Sequence, residues 1–218
     1  MSNGASWNAS SRWRARCGAE VAAPVSVAHT HVHSLRLASG AEALVARVRT
    51  TGGSAGFGFS LNLEADVARD MAAWDALGRS KGVPLHSLLG GTYRSGVKCI
   101  KDEIPALAAD WTALRKGVLD NRYDLLRIDP FAWGSVEMVQ AIAAVAAAFD
   151  LGIALLAPNA HPWEIQYCAA LAATLKGEDT RIILRKDLEV KNANVADQAG
   201  LGIDWSLEPS FNGIQWQS

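Results

Sequence analysis

Apolar and polar positions alternate from residue 25 to 37 and again from 43 to 50, the period of two that marks strands with one buried face. Gly52-Gly53 turns the second run into Gly56-Phe57-Gly58-Phe59, so this part of the chain reads as a small antiparallel sheet. From Leu63 to Gly78 the period lengthens, and Val67, Met71, Ala73, Trp74 and Leu77 share one helical face. Gly82, Pro84 and Gly90-Gly91 punctuate its exit. Beyond Tyr93 strand-like runs alternate with helix-like ones: 97–100 with 107–118, 125–128 with 136–149, and 153–156 with 163–175. That rhythm predicts βαβ units and a parallel sheet. Three units fall short of the eight that close a (β/α) barrel. A short run at 182–184, then Gly200-Leu201-Gly202 and Trp205, predicts a tail that packs back on the first sheet.

Residues 1–24 show no periodicity and read as a mobile leader. Arg12, Arg14 and Arg16 are not followed by an apolar core, so the leader does not read as a secretory signal. Of the 218 residues half are hydrophobic and 20% are charged, and the formal net charge of -1 gives no long-range pull toward nucleic acid or anionic lipid. No apolar run reaches the roughly 18–20 residues that span a bilayer. Cys17, Cys99 and Cys168 are scattered and form no CxxC pair, which predicts a reducing, cytoplasmic setting.

Candidate chemistry gathers at the C-terminal ends of the predicted strands, where parallel α/β folds place function. Those ends carry Lys101-Asp102-Glu103, Asp129 and His161. A carboxylate beside an imidazole orients the ring for proton abstraction, and a carboxylate at another strand tip suits a hard divalent cation. A plainer reading stands beside this one: Asp129 precedes Pro130 and His161 precedes Pro162, positions that suit helix caps. His29, His31 and His33 alternate along one strand, as an exposed face or as transition-metal ligands. The tryptophans read as core packing, and the glycines at 52–58 lack the following helix of a phosphate loop.

The run from Asp70 to Gly78, followed by Gly82-Val83-Pro84-Leu85 and Leu88-Leu89-Gly90-Gly91, resembles the junction of capping domain and barrel in the mandelate racemase/muconate-lactonizing branch of the enolase superfamily. Residues 44–50 and 53–58 resemble its first hairpin, with Phe59 where a Glu is common, and 200–204 resemble its closing segment with Ala199 in place of a proline. Asp129 before Gly134-Ser135-Val136 resembles the sixth barrel strand, and His161 resembles the seventh. The strand ending at 101–103 resembles the fifth, which supplies a magnesium ligand.

This resemblance implies an α/β chain made of a reduced α+β capping domain at 25–92 and a partial (β/α) TIM-type barrel at 93–180. Residues 181–218 then return to the cap. It implies abstraction of the proton α to a carboxylate in a small hydroxy acid or sugar acid, leading to racemisation or dehydration. His161 would be the base, Asp129 its orienting partner, and Glu103 or Asp102 the Mg2+ ligand. The first four barrel strands lack counterparts, and Lys98 and Lys101, three apart, do not reproduce the family's Lys-x-Lys pair. Mg2+ binding is therefore expected to be weak or lost. The alternative is a catalytically inactive shortened paralogue that serves as an oligomeric or ligand-binding protein. Exposed strand edges predict a homo-oligomer in either case.

Overall fold

A computed structural model describes residues 25–91, 94–102, 105–175, 180–184 and 190–216. Three antiparallel strands, β1 (Val27–Arg36), β2 (Glu42–Thr50) and β3 (Ala55–Ser60), form the first sheet in that order. Helix α1 (Ala65–Lys81) lies across it with its backbone almost touching the sheet. Gly56 and Gly58 make this possible: a Cβ on Gly58 would fall 2.1 Å from the Ala68 carbonyl oxygen, and one on Gly56 2.1 Å from the Ala76 nitrogen. Ala68, Ala72 and Ala76 supply the matching small face, packed on Ala46 and Val48. The opposite side of α1 buries Val67, Met71 and Trp74 in the main core. Leu63 was expected inside this helix. It stands before it instead, in a left-handed conformation (φ 59) and half exposed, because the chain turns there to enter the helix.

The second sheet contains β4 (Gly96–Lys101), β5 (Leu125–Ile128), β6 (Gly152–Ala157), β7 (Arg181–Leu184) and β8 (Asn192–Asn194), in the order β5-β6-β7-β4-β8. The first four are parallel, and β8 runs antiparallel along the outer edge of β4. Helices α2 (Leu85–Leu88), α3 (Trp111–Leu119), α4 (Pro130–Trp133), α5 (Val136–Ala148) and α6 (Pro162–Ala172) complete the fold. Leu126, Ile128, Leu155, Ala157, Ile182 and Leu184 point into the main core, while Ala154, Leu156 and Ile183 form a separate cluster with Ile100, Ala106 and Leu125.

This order corrects the expected place of β4. A fifth barrel strand would lie beside the sixth, but β4 pairs with β7, the strand after the seventh, and not with β5. In a closed barrel the neighbour of the last strand is the first. The physical cause lies in the next segment. In a parallel ladder alternate residues bond to opposite sides. Asp124 accepts from Gly152 on the β6 side, and the Arg127 carbonyl, on the other side, accepts from the Leu107 N–H at 2.8 Å. The chain after β4 thus passes to the free edge of β5, carrying Ala106 into the inner cluster on its way.

The segment around Gly200 packs against α1. Gly200 abuts Gly78, where a Cβ would fall 2.5 Å from its Cα, and the Gly200 carbonyl accepts from the Leu85 N–H at 2.8 Å. Asp75, 1% exposed, accepts from the Leu201 and Phe57 N–H groups at 2.9 Å each and from Arg79 at 2.6 Å. One carboxylate thereby joins the helix, the first sheet and the tail. Among the described residues no helix is long and apolar enough to cross a membrane.

Candidate functional site

Asp129 and His161 follow adjacent strands, β5 and β6, and each begins a helix. Asp129 caps α4: its Oδ1 accepts from the Phe131 N–H at 2.9 Å and the Ala132 N–H at 3.3 Å. Burial raises its carboxyl above the ordinary aspartate range, and the two amides oppose that shift. His161 caps α6, its Nδ1 accepting from the Trp163 N–H at 3.2 Å. A nitrogen that accepts carries no proton, so the ring proton belongs on Nε2. Nε2 lies 2.8 Å from Glu208 Oε1, with both side chains over nine-tenths buried. The second oxygen of Glu208 accepts from the Ala38 N–H at 3.0 Å, in the turn between β1 and β2. The expected Asp129–His161 hydrogen bond is replaced by one between His161 and Glu208.

Glu164, in the first turn of α6, is fully buried. Its oxygens accept from the Asn159 N–H at 3.0 Å and the Asn159 side-chain amide at 3.1 Å. Burial pushes its pKa up to about 7, and the Asp129 charge pushes the same way against the Asn159 and His161 hydrogen bonds. Glu164 stands three residues after the cap His161 and reaches back to its backbone, the geometry of a capping box. That spacing was a usable signal in the sequence. Glu208, 47 residues from His161, gave none.

Asp102 ion-pairs with Arg127 at 3.3 Å, and Glu103 lies outside the described residues. A guanidinium on Asp102 already supplies the positive charge that a cation would bring. Glu164 and Glu208 spend both oxygens on protein donors. Among the described residues no group of three or more His, Cys, Asp or Glu converges on one point. The described donors do not fit a Mg2+ site, whose ion exchanges its water only for several well-placed oxygens.

A second carboxyl pair lies where α1 meets α5. Asp70, fully buried, accepts from the Val136 N–H at 3.0 Å and faces Glu137. Burial first and the Glu137 charge second hold Asp70 well above its ordinary range, and Glu137 is raised by its own burial. Asp70 and Asp75, the acidic residues of the junction run, thus hold the two parts of the molecule together.

A helix-backed antiparallel sheet, tied by a closing segment to parallel strands with helices outside, is the arrangement of a capping domain on part of a TIM-type barrel. Solved structures of enolases and of mandelate racemase/muconate lactonizing enzymes share this fold. Similar ones include an enolase from Pseudomonas fluorescens Pf0-1 with bound magnesium, potassium and tartrate, at 12% identity and TM-score 0.63, covering 84% of this chain and 91% of that one. A mandelate racemase/muconate lactonizing enzyme from Bordetella bronchiseptica RB50 is similar at 12% identity and TM-score 0.64, covering 83% and 97%. L-Talarate dehydratase from Polaromonas sp. JS666, complexed with Mg and L-glucarate, is similar at 14% identity and TM-score 0.59, covering 84% and 96%. No protein-family model and no curated protein matches the sequence.

Proposed function

We propose that this chain is a shortened, non-catalytic protein of the enolase-superfamily fold that works as a ligand-binding or self-associating scaffold. The observation that carries the reading is the state of His161. Its Nδ1 lone pair is held by the Trp163 N–H and its Nε2 faces Glu208, so neither nitrogen is free to take a substrate proton. The polar strand ends act as caps and tethers. Mg2+ binding in this reading is no tighter than about millimolar. The test is exchange of the α-proton of hydroxy acids and sugar acids, tartrate and glucarate included, into deuterated solvent with Mg2+ present. No exchange above the buffer rate is expected, and exchange abolished by His161→Asn would overturn the proposal. Sedimentation reads the self-association, with a dimer or larger species expected at micromolar concentration.

A second reading draws on what the similar structures hold, tartrate with magnesium in one and L-glucarate with Mg in another. In it the chain abstracts the proton α to a carboxylate of such an acid, with His161 as base, Asp129 orienting it, and Glu103 or Asp102 holding the ion. That requires Glu208 to leave His161. Calorimetry showing micromolar Mg2+ binding would favour this reading.

A further inference from the structure

The alternating histidines of β1 acquire partners that the sequence pattern did not show. Residues directly opposite in an antiparallel ladder share a face, and His29 stands opposite Arg49 and His31 opposite Arg47. The next pair inward is His33 with Val45, which continues to Phe59 in the buried core. That fixes the face as the one turned away from α1. Side chains one pair apart along the strand are separated by about 6.7 Å, and those across it by about 5 Å. Two guanidinium and two imidazole groups therefore crowd one small patch.

The guanidinium groups of Arg47 and Arg49, two residues apart on one strand face, repel each other. Among the described residues no carboxylate pairs with any of the four, and the nearby Arg79, which lies over the Phe57 ring opposite Arg47, is committed to Asp75. The Arg47 Nε is buried and has no acceptor. A buried guanidinium N–H without an acceptor is costly, and a bound anion would supply what is missing. The two arginines also argue against a metal on the histidines, since a cation would meet their charge.

We propose that His29, His31, Arg47 and Arg49 form a binding site for a phosphate group carried by a small molecule. Each guanidinium presents a fork that fits two phosphate oxygens, and each imidazole adds one N–H donor. The patch is two residue pairs long and is bounded on its inner side by Val45 and by His33, whose ring is set edge-on against Trp216, so it suits a single tetrahedral anion. The proposal does not depend on whether the strand-end site is catalytic.

The probe is inorganic phosphate, added at constant ionic strength while the five histidine rings are followed by NMR. Saturable one-to-one shifts at His29 and His31, with none at His86 or His161, are expected. Arg47→Gln should weaken this binding at least about tenfold, the loss of one charge-assisted fork. Should that variant fail to fold, Arg49→Gln, at an exposed position, reads the same site, and Arg122→Gln on the exposed pair with Asp120 should change nothing. Linear shifts without saturation, equal shifts with nitrate, or unchanged binding in Arg47→Gln would overturn the proposal. A short oligonucleotide that displaces phosphate with a steeper salt dependence would overturn it in favour of nucleic acid.

Discussion

His161 Nε2 and Glu208 Oε1 meet at 2.8 Å in the interior, and the other oxygen of Glu208 holds the Ala38 amide of the first hairpin. A strand end, the C-terminal segment and the cap are thereby joined through one carboxylate. Around this tie Trp205 stacks on Phe211 at 4.8 Å, and Trp163 donates its indole N–H to the Asp204 carbonyl at 3.0 Å. The C-terminal segment is thus packed into the junction of cap and barrel.

Truncating Glu208 leaves the buried imidazole N–H of His161 without its acceptor and releases the Ala38 amide, which lies in an exposed turn. Glu208→Ala should cost about 1–3 kcal/mol, chiefly because the buried His161 N–H loses its acceptor. Glu208→Gln keeps an acceptor and should cost less than half of that. Urea denaturation of the two variants measures the difference, and equal losses would mean that the side chain acts only by filling space.

The position of His161 could be read from the sequence, but its partner could not. His161-Pro162 and Asp129-Pro130 announce helix starts as clearly as they resemble a catalytic pair, and the capping glutamate at 164 supports the cap reading. Local spacing carries such information because the groups lie within one turn of each other. Glu208 reaches His161 only through the return of the tail, and β4 pairs with β7 across some eighty residues of chain. Neither contact leaves a local trace. The strands, α1 and the returning tail were legible because hydrophobic period and glycine placement record them directly. The small antiparallel β8 was not, since three residues with one buried side chain carry no period.

Glu164 makes stability depend on pH in a definite direction. Its folded pKa of about 7 stands above the 4.5 of an unfolded glutamate, because burial favours the protonated form. The contribution of the neutral acid is complete below pH 4.5 and is lost as the pH rises through 7. Over that window the loss approaches roughly 3 kcal/mol. Asp129 and Asp70, also raised, act with the same sign. Denaturation midpoints should therefore fall between pH 5 and 8. Glu164→Gln, which keeps the carbonyl acceptor and cannot ionise, should flatten the curve and stabilise the protein at pH 8. A variant with the parent's slope would show that the charge is accommodated without cost.

The close approach of α1 to the first sheet gives the sharpest structural test. At Gly58 a methyl group would overlap the Ala68 carbonyl oxygen at 2.1 Å and the Ala72 nitrogen at 2.6 Å, both backbone atoms that cannot rotate away. The helix would have to lift from the sheet, opening the contacts of Ala68, Ala72 and Ala76 with Ala46 and Val48. Gly58→Ala should therefore cost about 3 kcal/mol or more, the upper end for overpacking. Gly52 provides the control: it lies in the turn before β3, and a Cβ there meets only Thr50 Oγ1 at 3.8 Å. Gly52→Ala should change stability by less than about 1 kcal/mol. Thermal unfolding of the two variants separates a specific helix–sheet contact from a general intolerance of alanine. Similar losses at both positions would mean that α1 does not sit this close to the sheet.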